Sequence, residues 1–110
     1  MPKLHLTHAT TDLGTEMADI LPPMDVGDFA RRMVTIKNAG DNAFADGKIE
    51  TGPSDSGPWF AETPPAELAT LAAGASCRWS NVSAARYVRV QAKTGSNTTD
   101  VQVWLDALPI

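Results

Sequence analysis

The 110-residue chain has one cysteine, two histidines, one tyrosine and an aromatic content of 6%. A single cysteine, Cys77, cannot form a disulfide within the chain, which excludes a disulfide-stapled extracellular mini-domain. No apolar run approaches the roughly 20 residues that a membrane helix needs. The first residues also lack the long apolar segment of a secretion signal. We therefore expect neither a membrane partner nor export by that route.

The residues that catalysis and metal binding require are equally scarce. Both histidines, His5 and His8, lie near the N-terminus, and Cys77 has no recognisable histidine partner. Residues 52–56 resemble a nucleophile elbow but lack its closing glycine. The aspartates in the loops do not have the spacing of a calcium loop. We predict no enzymatic activity, no catalytic residue, no cofactor and no bound metal.

The negative charge is concentrated in the first quarter of the chain. Residues 1–30 contain one lysine and five acidic residues, whereas residues 31–110 contain eight basic and eight acidic residues. The net charge of −4 argues against a protein that binds nucleic acid by covering its phosphates. This asymmetry predicts two parts: an acidic N-terminal arm at residues 1–29 and a neutral domain at residues 30–110.

The predicted arm carries regularly spaced apolar residues among its acids. Four of them recur at i, i+4, i+7 and i+8, the spacing of one helical face: Leu13, Met17, Ile20 and Leu21. Asp12 suits the N-cap of such a helix, and the two prolines at residues 22 and 23 would end it. Two interpretations remain open. The segment either folds back on its own domain, or forms an extended or partly helical arm that docks on another subunit.

The remainder of the chain has the alternation and turn sequences of β-strands. Residues 86–94 alternate most clearly, and residues 99–108 form a second such strand after a turn. We place a bulge at Asp46–Gly47 and expect Cys77 to face inward. Seven residues are expected to face one another across two sheets: Val34, Ile36, Val88, Val90, Val101, Val103 and Leu105. The pattern predicts an all-β antiparallel sandwich, with a compact barrel as the alternative.

Three outward features are candidates for binding. Trp104 lies on a polar strand face, where a large aromatic either marks a contact or packs under another segment. A polar row with one aromatic, which includes Tyr87 and Arg89, suits binding but also suits a solvated strand face. The loop at residues 52–58, together with Trp59, could form the rim of a ligand site. Alternatively, Trp59 closes the core.

Three short segments resemble those of a known group of domains: VTIKNAGDNA at residues 34–43, LAAGAS at residues 71–76 and YVRVQA at residues 87–92. Their combination resembles small immunoglobulin-like β-sandwich domains of virion proteins from tailed bacteriophages. The segment ARYVRV at residues 85–90 also resembles a strand of discoidin-like carbohydrate-binding jelly rolls. The first resemblance implies an immunoglobulin-like sandwich with no catalytic residue, acting as a capsid decoration or cement protein.

The sequence thus leads us to expect a structural virion protein on the outside of a phage head, assembled in the host cytoplasm. Its expected partners are the major capsid protein or other virion subunits, and we expect it to be a homo-oligomer or to be present in many copies. The predicted contact residues are Leu13, Met17, Ile20, Leu21, Tyr87, Arg89 and Trp104. The alternatives are a neck or tail component of the same fold and a module that binds host-surface glycans through Trp59, Tyr87 or Trp104.

Overall fold

A computed structural model describes residues 3–109 of the chain. It contains eight strands: β1 (Leu4–Leu13), β2 (Ala18–Asp25), β3 (Arg31–Asn38), β4 (Phe44–Gly52), β5 (Phe60–Ala61), β6 (Ser76–Val82), β7 (Tyr87–Thr94) and β8 (Thr99–Leu108). A single 3-10 turn, Leu68–Thr70, lies between β5 and β6. No helix within residues 3–109 is long and apolar enough to cross a membrane.

The strands form two four-stranded antiparallel sheets packed face to face. Sheet I has the order β1-β8-β3-β6, and sheet II has the order β2-β7-β4-β5. This confirms the predicted all-β antiparallel sandwich. The connectivity, however, is that of a double-sheet jelly roll rather than an immunoglobulin-like fold, because most consecutive strands lie in opposite sheets.

The N-terminal segment is part of both sheets, which corrects the expectation of a separate arm at residues 1–29. β1 pairs with β8 and β2 pairs with β7, so the predicted boundary before residue 30 cuts through the sandwich. The predicted helix was wrong, because strand pairing over a long sequence distance overrides a local helical spacing. The two prolines lie in β2 at the edge of sheet II, where a missing backbone donor is tolerated.

The core lies between the sheets and is built from the alternating residues that the sequence identified. The seven residues predicted to face inward are each at most 1% exposed. A register shift lies between Phe44 and Asp46, immediately before the predicted bulge position. At Gly47 a Cβ atom would lie 2.7 Å from Cγ of the buried Leu68, so a glycine there lets the 3-10 turn pack against β4.

Deleting residues 1–25 is expected to unfold the chain, because the deletion removes one strand from each sheet. Ile20 and Leu21, at most 1% exposed, would be lost from the core, and β7 and β8 would each lose a neighbour. We expect the far-ultraviolet circular dichroism spectrum to lose its β-sheet signal and thermal melting to lose its cooperative transition. A chain lacking only residues 2 and 3, which precede β1, is the control. A truncated chain with a native spectrum would contradict this role of the segment.

Candidate functional site

The outer face of sheet I, called face I below, carries the predicted contact residue Trp104 near its centre. Trp104 is half-buried and lies opposite Thr7 of β1 and Thr35 of β3. Because β1 pairs with β8 edge to edge, the N-terminal segment lies beside Trp104 rather than over it. The alternative that Trp104 packs under another segment is therefore not met by the N-terminal segment.

An apolar groove of about 360 Å³ runs along one end of face I. Its lining includes Met33 of β3 together with Val82 and Leu108, which end β6 and β8. Val82 is 66% exposed and Leu108 is 43% exposed, so two large apolar side chains remain in contact with water. These two side chains and Met33 together offer a small apolar area that another molecule could cover.

Face I carries more basic than acidic side chains, although the chain as a whole is acidic; its acidic residues on β8 are Asp100 and Asp106. Alternation along β3 and β6 places Arg31, Lys37 and Arg78 on this face, and all three are exposed. The acidic residue that lines the groove, Asp106, contacts the Nδ1 atom of His5 on the neighbouring strand. The face therefore combines a central aromatic, an apolar groove and basic residues, a combination suited to an apolar surface with an acidic rim.

The outer face of sheet II, called face II below, carries the predicted polar row that includes Tyr87 and Arg89. Arg89 of this row binds residues of its own chain. Nη2 of Arg89 lies 2.8 Å from Oε1 of Glu50, and its Nε donates to the same oxygen at 2.9 Å. The Arg89 guanidinium also stacks over the ring of Trp59, 4.3 Å from the ring centroid. The structure thus brings Arg89 and Trp59 together, with Arg89 bound to residues of its own chain.

Glycines allow the loop at residues 53–58 to lie close against face II. A Cβ atom at Gly52 would lie 2.6 Å from the backbone oxygen of Pro58 and 3.3 Å from the Trp59 ring. Gly57 has φ +91°, a left-handed conformation that other residues rarely adopt. Tyr87 lies opposite Gly52 across the β4–β7 pair. The loop is therefore packed against the sheet, and Trp59 helps to hold it there.

Replacing Arg89 with alanine is expected to destabilise the protein by about 1 to 3 kcal/mol, because the largely buried carboxylate of Glu50 would keep only its longer contact with Lys48, at 3.8 Å. Lys93→Ala is the matched control. Lys93 lies on the same face of β7, and no ion pair is found for it within residues 3–109. The control should change stability by less than about 0.5 kcal/mol in urea unfolding. Equal effects for the two variants would contradict this role of Arg89.

The predicted contact residues of the N-terminal segment do not form a surface with Trp104. Leu13, Ile20 and Leu21 are buried in the core, at most 2% exposed. Met17 is half-buried in the connection between β1 and β2. This corrects the expectation of four exposed apolar anchors, since bulges in β2 turn two adjacent residues inward.

Two of the acidic residues in the same segment bind partners within the chain. Asp25 forms an ion pair with Arg86 at 3.0 Å, and Asp19 accepts a hydrogen bond from Gln91 at 2.9 Å. The backbone amide of Gly27, followed by the Arg86 guanidinium, holds the pKa of Asp25 below its usual value. These acids therefore fasten β2 and its following turn to β7.

Sequence reasoning missed Arg32, a charged residue that is only 2% exposed. Its Nε donates to the backbone oxygen of Phe29 at 2.7 Å, and its Nη2 donates to those of Val26 and Ala85. Burial lowers the pKa of this guanidinium. Its inward position in β3, in phase with Val34, was the signal that could have identified it. Arg32 joins the connection before β3 to the loop before β7.

Asn38 is a second buried polar residue that the sequence analysis overlooked. Its Nδ2 donates to the backbone oxygens of Asn42 at 2.8 Å and Leu71 at 3.0 Å. Its Oδ1 accepts a hydrogen bond from Oγ1 of Thr99 at 2.6 Å. The asparagine therefore joins three connecting segments at the opposite end of the sandwich from Arg32.

Cys77 faces the core, as predicted, and is 9% exposed. Burial and, to a lesser extent, the charge of Glu67 raise the pKa of its thiol from 9.0 to about 11. The native protein therefore holds this thiol in its protonated, unreactive form at neutral pH.

At pH 8 we expect a disulfide reagent to modify native Cys77 at least about a hundredfold more slowly than the unfolded chain. A pKa near 11 leaves about one thiol in a thousand ionised, against about one in ten at the ordinary value. Burial slows access further. The rate should be measured from absorbance, with the same protein in concentrated urea as the reference. Equal rates in the two states would contradict the buried position of the thiol.

Within residues 3–109 no group of three or more histidine, cysteine and acidic side chains could hold a metal ion. No protein-family model and no curated protein sequence matches the chain. Solved structures do match it. PirA gives a TM-score of 0.64 at 13% identity, over 90% of this chain and 92% of that one.

Two further similar structures come from phages or prophages. The SPBc2 prophage-derived protein YomS gives a TM-score of 0.53 at 15% identity, over 94% of this chain and 95% of that one. The PRD1 vertex protein P5 gives 0.50 at 15% identity, over 98% and 96%. At these identities the likeness establishes the fold alone, a double-sheet β-structure.

Proposed function

We propose that the chain is a structural subunit of a virus particle, and specifically a capsid decoration or cement protein that attaches to the outside of a phage head. The observation that carries this proposal is face I, where Trp104, an apolar groove and exposed basic residues lie on one sheet surface. Attachment through this face requires no catalytic group.

Burial of the groove would supply the attachment energy. Met33, Val82 and Leu108 offer apolar area whose removal from water stabilises a contact by about 25 cal/mol per Å². The basic residues around them favour a capsid surface with an acidic rim.

The structural neighbours support the same proposal. YomS and the vertex protein P5 share the fold, and double-sheet jelly rolls occur in viral capsids. Jelly rolls also occur in lectins. On face II, however, Arg89 stacks over the ring of Trp59, one of the three aromatic residues through which a glycan was expected to bind. We therefore prefer attachment to a shell over glycan binding.

The test is whether the protein is found on particles of the virus whose genome encodes it, and on which part. We expect it to copurify with heads in density gradients and to bind heads stripped of it. Trp104→Ala should weaken that binding at least about tenfold, because a central aromatic often dominates an interface.

Tyr87→Ala is the matched control, since it removes a half-buried aromatic from face II, and it should leave binding to heads unchanged. Recovery of the protein with necks or tails would contradict decoration of the head and would indicate a neck or tail component. Absence from particles, or loss of binding in the Tyr87 variant alone, would contradict the proposal.

A further inference from the structure

Each edge strand of the two sheets leaves a row of backbone groups without a partner in its own sheet. Three of the four edges carry a feature that hinders pairing with another strand. β5 has two residues, and β2 contains two prolines and two register shifts. β1 keeps its register from Leu4 to Thr10 and is then interrupted by a register shift, where Asp12 takes a left-handed φ of 55°.

β6 has none of these features. It pairs with β3 in unbroken register over all seven residues and contains no proline. Arg78 is its one charged residue. Long, regular edge strands with few charges are the ones that accept an additional strand.

The hydrogen bonds at the ends of the β3–β6 pair show which backbone groups of β6 are free. Asn38 N–H donates to Ala75, and Ser83 N–H donates to Ala30, so these residues form hydrogen-bonded pairs. Such pairs alternate along an antiparallel ladder. Cys77, Trp79 and Asn81 therefore bond to β3. The backbone groups that point away from the sheet are those of Ser76, Arg78, Ser80 and Val82.

We infer that β6 is the dimer interface of this protein, pairing antiparallel with β6 of a second copy about a two-fold axis at Trp79. The four free positions are symmetric about residue 79. Full overlap therefore places Ser76 opposite Val82 of the partner subunit and Arg78 opposite Ser80 of the partner subunit. All eight free backbone groups of each strand are then hydrogen-bonded, and the two sheets I become one eight-stranded sheet.

The charges of β6 favour a second copy in this register over the neighbouring ones. A shift that places residue 78 on the axis would set Arg78 directly opposite its own copy, and like charges opposed across strands are destabilising. A shift that places residue 80 on the axis loses one of the four hydrogen-bonded pairs. Of these three registers, only the one centred on residue 79 forms all four hydrogen-bonded pairs and keeps the two Arg78 side chains apart.

The groove is continuous with this interface. Ser80 and Val82 line the groove of face I and are also free edge positions of β6. In the dimer, Arg78 of the partner subunit lies next to Ser80, about 5 Å away between Cβ atoms. Two copies of the groove therefore lie on one continuous surface, on either side of the axis.

The first measurement is sedimentation velocity of the full chain from low micromolar to sub-millimolar concentration, where we expect a reversible monomer–dimer equilibrium. Ser80→Glu should tighten the dimer about threefold to tenfold, because each new carboxylate faces Arg78 of the partner subunit. Ser80→Lys should weaken it by a similar factor. The added glutamate makes each copy more negative, which opposes association. A tighter dimer would therefore reflect the attraction between the new carboxylate and Arg78 of the partner subunit.

Gln102→Glu and Gln102→Lys are the matched controls. Gln102 is exposed on the same face but lies on β8, inside the sheet. Both controls should leave the dimer dissociation constant unchanged, and all four variants should melt with the wild-type cooperativity.

Amide hydrogen exchange at low and high protein concentration is the second measurement. The amides of Ser76, Arg78, Ser80 and Val82 should gain protection as the dimer forms, whereas those of Cys77, Trp79 and Asn81 should be protected at every concentration. A chain that stays monomeric would overturn the inference. So would a dimer in which both Ser80 variants shift the dissociation constant in the same direction, or in which the alternating protection is missing.

This inference does not depend on the proposed attachment to a phage head. A chain that dimerises through β6 but is absent from particles would contradict the proposed function alone. A monomeric chain that binds heads through Trp104 would contradict the β6 interface alone.

Discussion

The pairing between the first and the last strands of the chain is the constraint on which the rest of the structure depends. β8 lies between β1 and β3, and β7 lies between β2 and β4, so each of the last two strands needs an N-terminal neighbour. Leu6 of β1 lies opposite Leu105 of β8, a contact that spans almost the whole chain. Closing so long a loop costs conformational entropy, which only the burial of the complete core offsets.

Two buried polar residues hold the ends of the sandwich. Arg32 binds backbone oxygens of the segments before β3 and β7, and Asn38 binds those of the segments before β4 and β6. Backbone groups in buried connections need partners, and these side chains provide them. The strands are thereby fixed at both ends, which keeps the two outer faces regular.

The two outer faces differ in how far their side chains are covered by other parts of the same chain. On face II, Arg89 binds both Glu50 and Trp59, beside the loop at residues 53–58. On face I, the exposed Val82 and Leu108 have no such cover from the described residues. One face is therefore occupied by its own chain, while the other offers an apolar surface with basic residues. This difference makes face I the stronger candidate for a contact with another molecule.

The sequence by itself determined the strands of residues 30–110 and the side that each presents to the core. Alternation along a strand is a local property, so Val88, Val90 and Val103 could be assigned without knowing their neighbours. Trp104 could be placed on an outer face for the same reason. Only the tertiary structure decided that the acidic N-terminal segment forms two strands, because helical spacing and strand bulges leave similar apolar patterns. It also decided that Arg89 is covered by Trp59 and that the β6 edge is open, since both depend on contacts between segments distant in sequence.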